Sequence, residues 1–151
     1  MRHRRFSALI ATLLAGMLAI AAAGAVSAGH FQTLSTTLSG AEEVPGPGDP
    51  NGKGQITLDI YATGTICYTA KIQGIDGVAA AHIHEAAAGV AGGVVVNLRP
   101  DLATQTGNKL SYCVNSTPDI AADIIANPTD YYVNVHNAAH PAGAIRGQLG
   151  D

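Results

Sequence analysis

The segment Ala81-His82-Ile83-His84-Glu85 spaces two imidazoles one residue apart, and in an extended strand both rings point to one face. Neutral imidazoles placed in this way are donors of the kind that zinc and copper take. A third ring closes the run Tyr131-Tyr132-Val133-Asn134-Val135-His136, and His140 follows. His82, His84, His136 and His140 are therefore the candidate metal ligands, with copper or zinc as the cofactor they would hold. Along 131–136 the apolar Val133 and Val135 share one face, which sends Tyr132, Asn134 and His136 to the other. His82 and His84 likewise oppose Ile83. If the two strands are neighbours, the histidines cluster on an outer face that a metal can reach. Glu85, Tyr132, Asn134 and Arg146 complete the candidate binding residues, with Arg146 facing the same side as Gln148 and Glu85 as its expected salt-bridge partner. A second reading stands beside the first: the rings hydrogen-bond to loop backbone and to Asn134, Tyr132 or Arg146, and so hold the ends of the sheet together.

Other chemistry finds little footing. No G-x-S-x-G nucleophile elbow occurs, and the glycine-rich stretch from Gly89 to Gly93 precedes a strand rather than the helix that a phosphate loop needs. Glu42, Glu43 and Asp49 lack the ordered oxygen ligands of a calcium loop and read as solvated charge. The chain has no tryptophan, and its tyrosines do not outline a carbohydrate-stacking platform.

The elements that must position these residues are strands. In 55–62 the apolar Ile56, Leu58, Ile60 and Ala62 alternate with Gln55, Thr57, Asp59 and Tyr61, the period-two pattern of a strand with one buried and one wet face. Similar strands are predicted at 31–38, 65–72, 78–84, 93–98, 109–114, 131–136 and 144–149. Turn residues separate them: the Pro/Gly run 45–52, Ala62-Thr63-Gly64, Gly74-Ile75-Asp76-Gly77 and Thr106-Gly107-Asn108. Thr117-Pro118-Asp119 reads as an N-cap followed by Pro at the first helical position. Ile120, Ile124 and Ile125 keep helical spacing and Asn127-Pro128 forms the stop, so one short helix near residues 118–126 should cover an end or edge of the sheets. The predicted fold is all-β: an antiparallel, Ig-like or Greek-key β-sandwich of about eight strands with that single helix.

The N-terminus reads as an export signal. Met1-Arg2-His3-Arg4-Arg5 is basic, 8–26 is an apolar run rich in Ala and Leu, and Val26-Ser27-Ala28 suits cleavage after Ala28, with Ala23-Gly24-Ala25 as an alternative. Residues 1–28 are thus the expected signal peptide and 29–151 one domain, with no second apolar run long enough to span a membrane. The mature chain keeps five basic and eleven acidic residues, a net charge near −6 that argues against nucleic acid or anionic lipid as partner. Export places the protein in a periplasm or outside the cell, where Cys67 and Cys113 are expected to bond to each other. Closing a loop of about 45 residues stabilises by roughly 4 kcal/mol in the chain-entropy account.

Three ordered stretches also resemble one family. Leu38-Ser39-Gly40-Ala41-Glu42-Glu43-Val44-Pro45 opens the likeness, and Ala81-His82-Ile83-His84 with Gly89, Gly92-Gly93-Val94-Val95 and Leu98 carries its centre. The closing pair is 131–136 with Pro141-Ala142-Gly143-Ala144-Ile145-Arg146-Gly147-Gln148-Leu149. Together, from about Thr33 to Leu149, they resemble the CHRD domain, a module first described in chordin and found as a single exported domain in bacteria. The resemblance implies an all-β fold and a non-catalytic extracellular binding or structural role toward a protein partner. It brings no catalytic mechanism, and chordin's cysteine-rich growth-factor-binding modules are absent here. In the family a glycine soon follows the second histidine, whereas Glu85-Ala86-Ala87-Ala88 precedes Gly89, so the strand exit should differ locally. A looser likeness is to copper-zinc superoxide dismutase: His82-Ile83-His84-Glu85 looks like its His-x-His copper motif, and His136 and Arg146 stand where a later ligand and an anion-guiding arginine would fall. No histidine lies between His84 and Cys113 to supply a bridging or zinc ligand, so dismutase activity does not follow. The alternative function is copper or zinc binding by the histidines, with weak redox chemistry at most.

Overall fold

Residues 31–98 and 109–150 are described by a computed structural model of the protein. The expected signal peptide and the turn at Thr106-Gly107-Asn108 lie outside the described residues. Eight strands form: β1 Phe31–Ser39, β2 Lys53–Tyr61, β3 Thr65–Gln73, β4 Val78–Glu85, β5 Gly93–Asn97, β6 Lys109–Asn115, β7 Tyr131–Asn137 and β8 Ile145–Gln148. One helix, α1 Pro118–Ala126, precedes β7.

Period-two patterning decides which faces are buried. In β2, Ile56, Leu58 and Ile60 are at most 2% exposed. Fully burying such a side chain stabilises by roughly 1.5–3 kcal/mol. All the strand pairings are antiparallel, in the order β5-β4-β7-β8-β1-β2-β3-β6, so the expected sandwich is realised as one continuous hydrogen-bonded sheet. Only Ser39 and Arg146 pair β1 with β8. At that narrow seam the sheet turns upon itself, because Leu58, Ile60 and Ile66 from one half share a core cluster with Ile83, Val133 and Val135 from the other. A flat sheet would hold these side chains too far apart to exclude water together.

The helix forms where its caps require. The Thr117 hydroxyl accepts from the Ile120 backbone N–H, a cap worth about 1 kcal/mol, and Pro118 at the first position lacks an N–H that would otherwise be orphaned. Its buried residues are Ala121 and Ile124, and it packs against β2 and β3. On the outer face of β3 and β6, Cys67 and Cys113 are directly opposite and disulfide-bonded.

One feature of the fold governs the site. The outer face of the β4, β7 and β8 half is largely covered, because the β4–β5 connection, residues 86–92, folds back over it, while His82 and His136 stay half-buried. Gln148 Nε2 donates to Ala86 O at 2.9 Å, and Arg146 donates to Val90 O at 2.8 Å and Ala87 O at 3.2 Å. This connection forms a roof over the strands. Gly92 allows the tight return: a Cβ there would lie 2.0 Å from Glu85 O. Beneath the roof both faces of β7 are buried, the polar Tyr132 and Asn134 as well as Val133 and Val135.

Candidate metal centre

Strands β4 and β7 are neighbours, with His82 opposite Asn134 and His84 opposite Tyr132. Their outward phases therefore interleave, and one nitrogen each from His82, His84 and His136 lies within 4.8 Å of the others. The closest approach is His82 Nδ1 to His136 Nε2 at 3.0 Å. Nitrogens about 2.0–2.1 Å from one metal sit roughly 2.9 Å apart at right angles and about 3.3 Å apart in a tetrahedron, so this pair has ligand spacing. The widest spacing in the trio must close by about 1.5 Å for a common tetrahedral ion.

The remaining nitrogens settle which lone pairs converge. His136 Nδ1 donates to Pro141 O at 3.1 Å, and His84 Nδ1 donates to Gly92 O at 2.9 Å. In the neutral rings each lone pair is then on Nε2. The ring of His82 is hydrogen-bonded by the Asn97 side chain, and with Nδ1 directed at His136 the nitrogen left for Asn97 is Nε2. Without a metal, His82 Nδ1–H donates to His136 Nε2. Moving that proton to the Asn97 side frees His82 Nδ1, His84 Nε2 and His136 Nε2 together. Backbone carbonyls and amide side chains that orient the far nitrogen are the usual outer supports of metal-bound histidine. Asn134 Oδ1 faces His84 Nε2 at 3.0 Å, so without a metal both nitrogens of His84 point at oxygens that can only accept, and a metal at Nε2 would take the place of a proton there and displace the Asn134 amide.

Electrostatics favours the neutral forms of His82 and His136. Burial, then the neighbouring His136 and His84, holds His82 below the ordinary imidazole range. Burial also lowers His136, partly opposed by the Pro141 carbonyl and reinforced by His84. Neutral imidazole is the form that binds a metal.

A second layer fixes His84 in orientation. Its ring stacks on Tyr132 at 4.8 Å between centroids and 7° between planes, and the Arg146 guanidinium lies 3.4 Å from the other ring's centroid. The Tyr132 hydroxyl accepts from Gly92 N–H at 3.1 Å, and Arg146 also donates to Gln148 Oε1 at 3.2 Å. Arg146 is 1% exposed.

Two expectations are corrected by this geometry. Glu85 does not pair with Arg146: its side chain is exposed while the guanidinium is enclosed by loop carbonyls, Gln148 and Tyr132. The carboxylate that acts electrostatically on Arg146 is Glu43. His140 does not join the trio, because the turn after β7 directs its ring to Asn137 Oδ1 at 3.3 Å and to Asp49 at 3.8 Å.

Glu43 is the residue that sequence reasoning missed. Set in a Pro/Gly-rich loop beside Glu42, it reads as solvated, yet it is 5% exposed and its Oε1 lacks a hydrogen-bond partner. It contacts the Asn134 side chain, and burial raises its pKa to about 7 against the opposing pull of Arg146, the Val44 backbone and Asn134. The Glu-Glu doublet carried no signal separating the two. A groove of 470 Å³ runs along the β8–β1 seam past Arg146 and Gln148, and none of the three histidines lines it.

Comparison with known proteins gives one family: the model of the CHRD domain matches residues 34–149. No curated protein and no solved structure matches the chain.

Proposed function

The chain belongs to the CHRD domain family, and we propose that in this member the domain is an exported metal-binding module that holds one copper or zinc ion through His82, His84 and His136. The observation that carries this reading is the convergence of three imidazoles whose far nitrogens each have a hydrogen-bond partner. Two depressed imidazole pKa values support it, since neutral rings need lose no proton to bind. The export part rests on the pattern of residues 1–28 and on the Cys67–Cys113 bond, which persists in oxidising compartments. Calorimetric titration of the mature chain with Cu(II) and Zn(II) tests the reading. One ion per chain, abolished in the His82→Ala, His84→Ala double variant, supports it; no uptake at micromolar metal refutes it.

A second reading has its own observation. Each ring is already hydrogen-bonded within the protein, and His84 meets both Gly92 and Asn134. On that reading His84 pins the 86–92 roof to the sheet and His136 holds the turn at Pro141, and the double variant loses stability without any loss of metal uptake.

A further inference from the structure

Three neutral imidazoles supply no negative charge to a divalent ion, and the nearest described cation, Arg146, opposes one. The buried groups around the trio therefore leave a charge to be accounted for. From β4 the neighbouring side chains are the histidines themselves and the exposed Glu85; from β7 they are Tyr132 and Asn134; from β8, Arg146 and Gln148. The remaining charged group reaches in from the loop after β1. Glu43 is held against Asn134, whose Oδ1 is 3.0 Å from His84 Nε2, so one amide separates the carboxylate from a ligand nitrogen.

The surroundings accommodate this carboxylate closely. A Cβ on Gly143 would fall within 2.5 Å of all three atoms of the Glu43 carboxyl group, and a Cβ on Gly48 would fall 2.8 Å from its Cγ. A buried acceptor left without a donor costs stability in the protein alone. We propose that Glu43 is the charge-compensating residue of the metal centre, its carboxylate stabilising a divalent ion at the histidine trio at the expense of the metal-free fold. This rests on the metal-binding reading above.

The raised pKa of Glu43 agrees with this role, since burial disfavours the anion by more than the Arg146 charge favours it, and a second cation would favour it further. The test uses the mature protein and its Glu43→Gln variant at a pH above 7, with Cu(II) as the probe. The variant is expected to bind Cu(II) at least about tenfold more weakly, a lower bound for one charge acting on a divalent ion over several ångströms at an intermediate dielectric. Its bound copper should have a higher midpoint potential, because the lost charge favoured Cu(II) over Cu(I). Its metal-free form should melt at or above the wild-type temperature. Equal Cu(II) affinity, or an unchanged or lower potential, overturns the proposal. A metal-free variant that melts earlier or fails to fold also overturns it, because Glu43 would then be holding the fold. If the wild type itself takes up no copper, the metal-binding reading fails instead.

Discussion

Glu43→Gln should change how the metal-free protein responds to pH. The carboxyl has a pKa of 4.5 as an isolated group and about 7 when folded, so the folded chain holds its proton more tightly than the unfolded chain. Its protonation therefore favours folding: that contribution is complete below the unfolded pKa and is lost as pH rises through the folded one. At about 1.4 kcal/mol per unit the full swing is roughly 3.5 kcal/mol. Most of it, about 2.5 kcal/mol, falls between about pH 5 and pH 8. His82 and His136 act in the opposite sense, because their lowered pKa values make stability fall as pH drops below the usual imidazole range. Wild type and variant share those two groups, so the difference between their profiles isolates Glu43. Urea unfolding at several pH values is the assay. The variant should gain about 2.5 kcal/mol on the wild type between about pH 5 and pH 8. Parallel profiles would refute the reasoning, since they would mean that Glu43 has the same proton affinity folded and unfolded.

Arg146→Met should free the 86–92 roof. Two charge-assisted bonds to loop carbonyls and the stack on Tyr132 are lost while the cost of burying the cation is relieved, for a net destabilisation of about 2–3 kcal/mol. Amide exchange at Val90 and Gly92 should accelerate more than exchange in β2; uniform acceleration would contradict a local role. Cys67→Ser with Cys113→Ser should cost roughly 4 kcal/mol by denaturant unfolding, from a closed loop with a sequence separation of 46. A loss below about 1 kcal/mol would contradict the chain-entropy account.

The strands were legible because β2 and β3 keep strict alternation and β7 alternates apolar with polar residues from Tyr132 to His136, and α1 because its cap residues are adjacent in sequence. The histidine trio was legible for the same reason: His82, His84 and His136 fall on the phase opposite to Ile83, Val133 and Val135. What was not legible arises from long-range closure. The burial of Glu43 depends on the loop after β1 folding back, with Gly48 N–H donating to Gly40 O and Asp49 N–H to Ala144 O, across from β8. The roof over Arg146 depends on carbonyls that any residue type would offer, so Ala86, Ala87 and Val90 give no compositional sign of it. His140 was misjudged because proximity to His136 in sequence carries no direction through a turn. The sheet's continuity likewise turns on a single pairing, Ser39 with Arg146, which no local pattern encodes.

The most direct test of the metal centre is imidazole ¹⁵N NMR of the mature chain before and after one equivalent of Zn(II). The account expects His82 Nδ1, His84 Nε2 and His136 Nε2 to move to metal-bound shifts while His84 Nδ1 and His136 Nδ1 stay protonated toward Gly92 and Pro141, and His82 Nε2 gains its proton toward Asn97. Three rings unchanged by zinc, or coordination through the nitrogens that face Gly92 and Pro141, would contradict it.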